Sequence, residues 1–386
     1  LHLARAFEER GHAVDLVVCR DDGPTTHTLP EGTTPHYLPP VGHFRARRQV
    51  LKAAPQDRDV LLRPVLAPLV APWPIRYLDS LAAELRQNPP DILYAAGPYL
   101  NLTALWARDL AGVSTRVVGS ERVGFPHFQR PLKRWQWRWR YLDRLVRRSY
   151  PRFDAIVAVS KGVAAELCKS TGLPDGNVHP IYNPVVSPLI DEKKAETVSH
   201  AWFTANRRVP VVLGVGRLAG LKDFPTLLRA FAKVRREREL RLVILGEGPH
   251  RRRLKRLARG LGIAGSVDLP GWAENPYSYY ASADLFVLSS RGEGLPNALL
   301  EAMACGCPVV STDCPSGPRE ILRGGELAPL VPVGAPEKLA DGIRAALDTP
   351  PSREVLTERA NEFSMTRSTD DHLALFERLI RAPTQR

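Results

Sequence analysis

Apolar and polar residues follow two rhythms along this chain. Short runs such as AVDLVVC (13–19), DILYAA (91–96), TRVVGS (115–120) and DAIVAVS (154–160) are brief and rich in β-branched residues, which predicts buried strands. Between them, RYLDSLAAELRQ (76–87) and KGVAAELCKSTG (161–172) space their apolar residues three and four apart, as an amphipathic helix does. The chain opens on LHLARAFEERGH, a helical pattern with Leu1, Leu3, Ala4 and Phe7 on one face and Gly11 as its stop. No strand pattern and no initiator Met precede it, so the sequence reads as truncated at its start, with the first strand missing. Short buried strands alternating with helices predict an α/β fold of parallel, doubly wound sheets.

The rhythm breaks in IYNPVVSPLIDEKK, at Asn183-Pro184 and Pro188, and a second alternation follows. VPVVLGVGR, RLVILGEG, SVDLPG, DLFVLSS and CPVVSTD predict strands, with FPTLLRAFAKVRRE and HRRRLKRLARGLG as helices between them. The expected organisation is two Rossmann-like domains, 1–183 and 184–386. Strand ends in the second half carry Gly214, Gly216, Gly246, Gly248, Gly271, Gly292 and Gly294. Ligands of open parallel sheets sit beyond the carboxyl ends of the strands, so the second domain is the expected nucleotide binder.

Composition supports this division. At 386 residues the chain exceeds one ordinary core of about 150 to 200 residues, and 44% hydrophobic residues suffice for two buried sheets. No apolar run approaches the roughly 18 residues of a membrane span. Five cysteines without disulfide-type spacing point to a reducing compartment, hence a cytoplasmic protein. Cys305, Cys307 and Cys314 lack partner ligands in the sequence and read as buried thiols. The formal net charge of +13 implies an anionic partner.

Candidate chemistry concentrates in RGEGLPNALLEAMACG (291–306). The segment turns at Gly294 and a helix starts near Pro296, whose ring suits the first helical position. The open amides of a helix start, with the helix dipole, favour phosphate. Glu293 precedes the turn and Glu301 lies a little over one turn into the helix. Carboxylates repel phosphate, so these two acids should accept hydrogen bonds from neutral hydroxyls. Phosphates flanked by two polyhydroxylated rings meet both conditions, and that ligand is a sugar nucleotide. Arg217 and Lys222, just after a glycine-rich strand end, could clamp its diphosphate and stabilise the leaving group.

From VVLGVGRLAGLKDF through GEGLPNALLEAMACGCPVVSTDCPSGPREIL the chain resembles glycosyltransferase family 4, the retaining enzymes of the GT-B architecture, in which two Rossmann-like domains face a cleft. The resemblance implies transfer of a hexose or N-acetylhexosamine from a nucleotide-diphosphate sugar to a glycan or lipid-linked acceptor, with retention and without a metal or other cofactor. It implies that Glu301 binds the ribose, that Glu293 binds the donor sugar, and that Arg217 and Lys222 hold the diphosphate. Gly216, Gly294, Leu295, Pro296 and Asn297 would touch sugar and phosphate. The terminal DDHLALFERLI resembles the family's last helix, which returns to the first domain. Many relatives carry a histidine where this chain has Tyr94 or Arg122. Glu121, Arg122 and His127 are therefore the acceptor-side candidates.

Other readings compete. A sugar-nucleotide epimerase or phosphorylase on the same architecture would use the same donor residues. Arginines interleaved with Trp135, Trp137 and Trp139 suit a nucleic-acid binder. That reading leaves the glutamate pair unused, so no nucleic-acid partner is expected. Asp57-Arg58-Asp59 imitates an acidic metal motif but reads as solvated surface. The stretch from Arg130 to Arg148 reads as a basic amphipathic helix suited to an anionic membrane surface, which predicts a peripheral enzyme on the membrane's inner face.

Overall fold

In the computed structural model, which describes residues 2–19, 35–124, 141–204 and 207–383, all paired strands run parallel. The chain divides into two units, one comprising Leu1–Tyr182 with Ser368–Arg386 and the other Asn183–Arg367.

In the first unit, among the described residues β1 (Val17–Val18) pairs only with β2 (His36–Tyr37). The strand expected over 13–19 thus shrinks to two half-buried residues, with no second neighbour among the described residues to extend it. β3 (Ile92–Ala96), β4 (Arg116–Glu121), β5 (Ala155–Ala158) and β6 (Val178–Pro180) form a four-stranded sheet in chain order. Helix Pro98–Ala111 starts with proline, which fixes a helical φ where no N–H is needed, and ends on Gly112 in the left-handed conformation. Leu375 and Phe376 of the last helix, Met365–Arg381, pack with Val118, Ala155, Val157 and Ile181.

Two surface expectations are refined here. Arg58 and Asp59 are exposed, as expected, but Asp57 is only 1% exposed and forms ion pairs with Arg148 (3.1 Å) and Arg152 (3.4 Å), so it is a buried anchor and not solvated loop. Of the stretch from Arg130 to Arg148 read as a membrane-facing helix, 130–140 lie outside the described residues. The described part, Leu142–Ser149, buries Leu142, Leu145 and Val146 in the core. Arg148 of that helix pairs with Asp57, while Arg144 and Arg147 are exposed.

The second unit holds a six-stranded sheet: β7 (Val211–Val215), β8 (Arg241–Leu245), β9 (Val267–Gly271), β10 (Leu285–Leu288), β11 (Val309–Thr312) and β12 (Leu330–Val331). Their order is β12-β11-β10-β7-β8-β9, so the direction of winding reverses between β7 and β10. Helix Phe224–Arg235 buries Leu227, Leu228, Phe231 and Val234, the face its spacing predicts, against a core containing Leu242, Ile244, Leu285 and Ile343. A reversal of this kind leaves a crevice at the strand carboxyl ends, where the connections diverge to opposite faces of the sheet.

Candidate functional site

The two segments leaving that reversal are tied together. After β7 the chain passes Gly216 and Arg217 into a short turn, Gly220–Lys222, before helix Phe224–Arg235. After β10 it passes Ser289 to Pro296 into helix Asn297–Ala304. Ser289 Oγ donates to the Lys222 carbonyl (2.8 Å), and the Arg291 amide donates to the Leu221 carbonyl (2.8 Å). Arg291 Nε also meets the buried carboxylate of Asp223 at 2.9 Å. Asp223 itself holds φ +44°, a conformation that costs a non-glycine residue, and is fixed by Arg291 and by Thr226 Oγ1 at 2.8 Å.

This stitching brings Lys222 and Glu293 into direct contact. Lys222 Nζ donates to Glu293 Oε1 at 2.6 Å, and Ser290 Oγ donates to the same oxygen at 2.6 Å. The pair is mostly buried, with side-chain exposures of 21% and 11%. Gly216 packs on the lysine stem: at φ +150° an added Cβ would stand 3.0 Å from Lys222 Cε. Arg217, by contrast, is exposed and makes no side-chain ion pair among the described residues.

Glu301 stands beside a buried tyrosine. Its Oε2 accepts the Tyr280 hydroxyl at 3.1 Å, and Tyr280 is fully buried. Burial pushes the Glu301 carboxyl above its ordinary range, while the Tyr280 hydrogen bond and the Lys222 charge pull it back. One cation therefore acts on both glutamates.

Pro296 caps the helix, and Asn297 is the first helical residue, one position later than the sequence suggests. The first backbone bonds close on the Pro296 carbonyl, from Leu299 at 3.0 Å and Leu300 at 3.3 Å, so the amides ahead of them are the orphan donors of a helix start. Gly294 and Leu295 are buried, and Asn297 is exposed, its Oδ1 accepting from Asn183 Nδ2 at 2.9 Å. Gly317 backs the turn. At φ +89°, any Cβ on it would fall 2.4 Å from Pro296 Cδ.

The acceptor-side candidates are placed otherwise. Glu121, at the end of β4, is 1% exposed; Oε1 accepts from Asn101 Nδ2 (3.0 Å) and from the Tyr150 hydroxyl. Burial raises its carboxyl to about 7. As it stands, this side chain meets protein atoms and not solvent. Arg122 is exposed, with its charge felt at Tyr94 and His372. The Tyr94 hydroxyl and His372 Nε2 lie 3.3 Å apart. His127 lies outside the described residues.

Sequence reasoning missed Tyr280, Asp223, Arg291, Ser289 and Ser290. Except for Ser290, which lies three residues from Glu293, their roles depend on register between segments some 20 to 70 positions apart, and no spacing within one segment reports that. A cavity of about 550 Å³, lined by Arg108, Arg116, Arg152 and Asp154, lies at the amino ends of β4 to β6. Ligands of parallel sheets bind at the opposite end, and these arginines are already paired with aspartates. Among the described residues no group of three or more His, Cys, Asp or Glu side chains could hold a metal ion.

With this geometry established, comparison with known proteins is informative. Residues 1–187 match the family model described as Glycosyltransferase Family 4, and residues 199–363 match Glycosyl transferases group 1. The chain belongs to glycosyltransferase family 4. Among the family's curated members, an N-acetylgalactosamine-N,N'-diacetylbacillosaminyl-diphospho-undecaprenol 4-alpha-N-acetylgalactosaminyltransferase of Campylobacter jejuni is 32% identical over 216 residues, 56% of this chain and 57% of that protein. The lipopolysaccharide core biosynthesis glycosyltransferase LpsE of Rhizobium meliloti is 35% identical over 196 residues, 50% of this chain and 56% of that protein. The matches thus span about half the length of these curated relatives. Sucrose-phosphate synthase from Thermosynechococcus elongatus superposes with a TM-score of 0.75 at 18% identity, over 99% of this chain and 92% of that one. HepE of Anabaena in complex with UDP and glucose gives 0.71 at 18% identity, over 99% and 94%. The family member described here has the GT-B fold of these neighbours.

Proposed function

We propose that the chain is a retaining hexosyltransferase that takes a hexose or N-acetylhexosamine from a nucleotide-diphosphate sugar. The observation that carries this reading is the Lys222–Glu293 contact at the strand-order reversal, beside the start of helix Asn297–Ala304. An ammonium has three protons, so pairing with Glu293 leaves two for the diphosphate. Glu293 keeps an oxygen for a sugar hydroxyl, Glu301 takes the ribose, and Arg217, exposed, can swing onto phosphate. Asn297 and the backbone of Gly216, Gly294, Leu295 and Pro296 line the same path.

In the transfer, the bond between sugar C1 and the phosphate oxygen breaks on the face where the acceptor oxygen bonds to C1. The acceptor proton passes to the leaving phosphate. Lys222 and Arg217 stabilise the charge that builds on that phosphate, and no step is routed through a metal. Relatives named for undecaprenol-linked and lipopolysaccharide substrates favour a glycan or lipid-linked acceptor, cell-surface polysaccharide synthesis and work at the cytoplasmic face of a membrane. No helix among the described residues is long and apolar enough to cross a membrane.

A thermal-shift panel of nucleotide-diphosphate sugars tests the reading, since a ligand at about 100 times its dissociation constant stabilises by about 2.7 kcal/mol. One donor should stand out and be consumed only when acceptor is supplied. Silence across the panel rejects the donor site. Consumption without acceptor would instead mark an epimerase.

A further inference from the structure

Residues 64–75, PVLAPLVAPWPI, carry no charged side chain, and Arg63 and Arg76 flank them. Within this loop Leu69 is 96% exposed and Val70 59%. Phe44, on helix His43–Ala53, is 81% exposed. It stands one turn before Arg47, and Arg47 reaches into the loop, donating to the carbonyls of Val65 (3.3 Å), Pro68 and Leu69 (3.2 Å). The three bare apolar side chains therefore belong to one surface. Large apolar groups left together in water signal a contact site.

Part of the loop's backbone is paired within the protein. Pro64, Pro68, Pro72 and Pro74 have no N–H to leave unpaired. The Ala67 amide donates to the Leu62 carbonyl at 2.7 Å, and Arg47 satisfies three carbonyls at the apex. This pairing lowers, without removing, the cost of taking the loop out of water. The surroundings are cationic. Arg48 and Lys52, exposed on the same helix, have no carboxylate partner among the described residues. The nearby acids are engaged, Asp79 by Arg45 and Asp57 by Arg148 and Arg152.

We propose that the Leu69–Val70 loop, with Phe44 beside it, docks into an anionic phospholipid surface, with Arg48 and Lys52 contacting the headgroups. Three exposed apolar side chains fall well short of the roughly 20 residues a side that a stable protein interface takes. An apolar tip set in a rim of long cationic side chains suits the boundary between headgroups and acyl chains. The docking goes beyond the proposed sugar transfer and does not depend on it, since lipid binding is read with no sugar present. It also moves the membrane contact away from helix Leu142–Ser149, whose apolar side is buried.

Co-sedimentation of the full chain with phosphatidylcholine vesicles, with and without phosphatidylglycerol, tests it. The wild type should partition onto the vesicles that contain phosphatidylglycerol. Leu69→Ser/Val70→Ser should lower that partition about tenfold or more, and Arg48→Gln/Lys52→Gln roughly tenfold at low salt. Both variants change exposed side chains, so their thermal midpoints and nucleotide-sugar binding should match the wild type, and failure of the donor reading is seen separately. The proposal is overturned if the wild type does not partition or if Leu69→Ser/Val70→Ser partitions equally. It is also overturned if that variant turns a wild-type dimer into a monomer on size-exclusion chromatography, which would assign the surface to a second copy of the chain.

Discussion

Nζ of Lys222 lies 2.6 Å from Oε1 of Glu293, and the two residues come from opposite sides of the strand-order reversal, one following β7 and the other β10. Each therefore fixes the other before any ligand arrives. Lys222→Ala and Glu293→Ala should each lower turnover by roughly 10² to 10³, the range for losing one preorganised contact to developing charge. Because they act as a unit, the double variant should fall far short of the product of the single losses. Steady-state kinetics on all three enzymes checks this, and strict multiplicativity would mean the contact has no role.

Arg217, exposed and without an ion pair among the described residues, should behave differently. Arg217→Ala should weaken nucleotide-diphosphate sugar binding roughly tenfold and leave nucleoside binding unchanged, because only the phosphates meet the lost charge. Isothermal titration with both ligands separates the two. Equal losses would point to damage to the fold.

Tyr280 is the only hydroxyl seen on Glu301 among the described residues. Tyr280→Phe leaves the partly buried Glu301 carboxyl without this donor and should weaken nucleotide binding by roughly five- to fifty-fold, with kcat nearly unchanged. Glu301→Ala should do the same, whereas Glu293→Ala acts chiefly on kcat. A Tyr280→Phe enzyme with wild-type nucleotide affinity would remove Glu301 from the ribose site.

The Glu121 carboxyl, raised from 4.5 to about 7 by burial, makes stability depend on pH. Between those values the folded chain binds more protons than the unfolded chain, so stability falls as pH rises. The favourable contribution is complete below 4.5 and is lost through 7, a difference of roughly 3 kcal/mol. Glu121→Gln should therefore be more stable than wild type at pH 8 and similar at pH 5. Urea denaturation at the two pH values measures it, and parallel curves would refute the shift.

Gly317 sits where a side chain has no room, 2.4 Å from Pro296 Cδ at φ +89°. Gly317→Ala should cost about 1–3 kcal/mol, lower the melting temperature by several degrees and disturb the 293–297 turn enough to impair donor binding. An unchanged melting temperature would mean the turn adapts freely.

Much of this was legible in the sequence where the signal is local. Leu242–Leu245 of β8 and Leu285–Leu288 are continuous apolar runs, and helix Phe224–Arg235 shows its buried face in its spacing. Glu293 and Glu301 stood out because a turn, a proline and a helix start lie between them. What escaped was set by contacts distant in sequence. Asp57 looked like surface because its partners Arg148 and Arg152 lie about 90 residues away. Glu121 looked available for chemistry because nothing beside it in sequence reveals Asn101 and Tyr150 closing over it. The Leu69–Val70 tip reads as core by composition, and only its exposure shows otherwise.

The division of the chain, with the first unit resuming at Ser368, has a consequence for synthesis. The first unit begins to emerge first but is completed last. Leu375 and Phe376, which cover Val118, Val157 and Ile181, are translated only after the whole of Asn183–Arg367 has been made. Until then β4 and β5 lack part of their apolar cover and Tyr94 lacks His372. The second unit, continuous in sequence, has everything it needs at once. The nascent chain should therefore fold from its middle, with the last helix closing the earlier half as it leaves the ribosome.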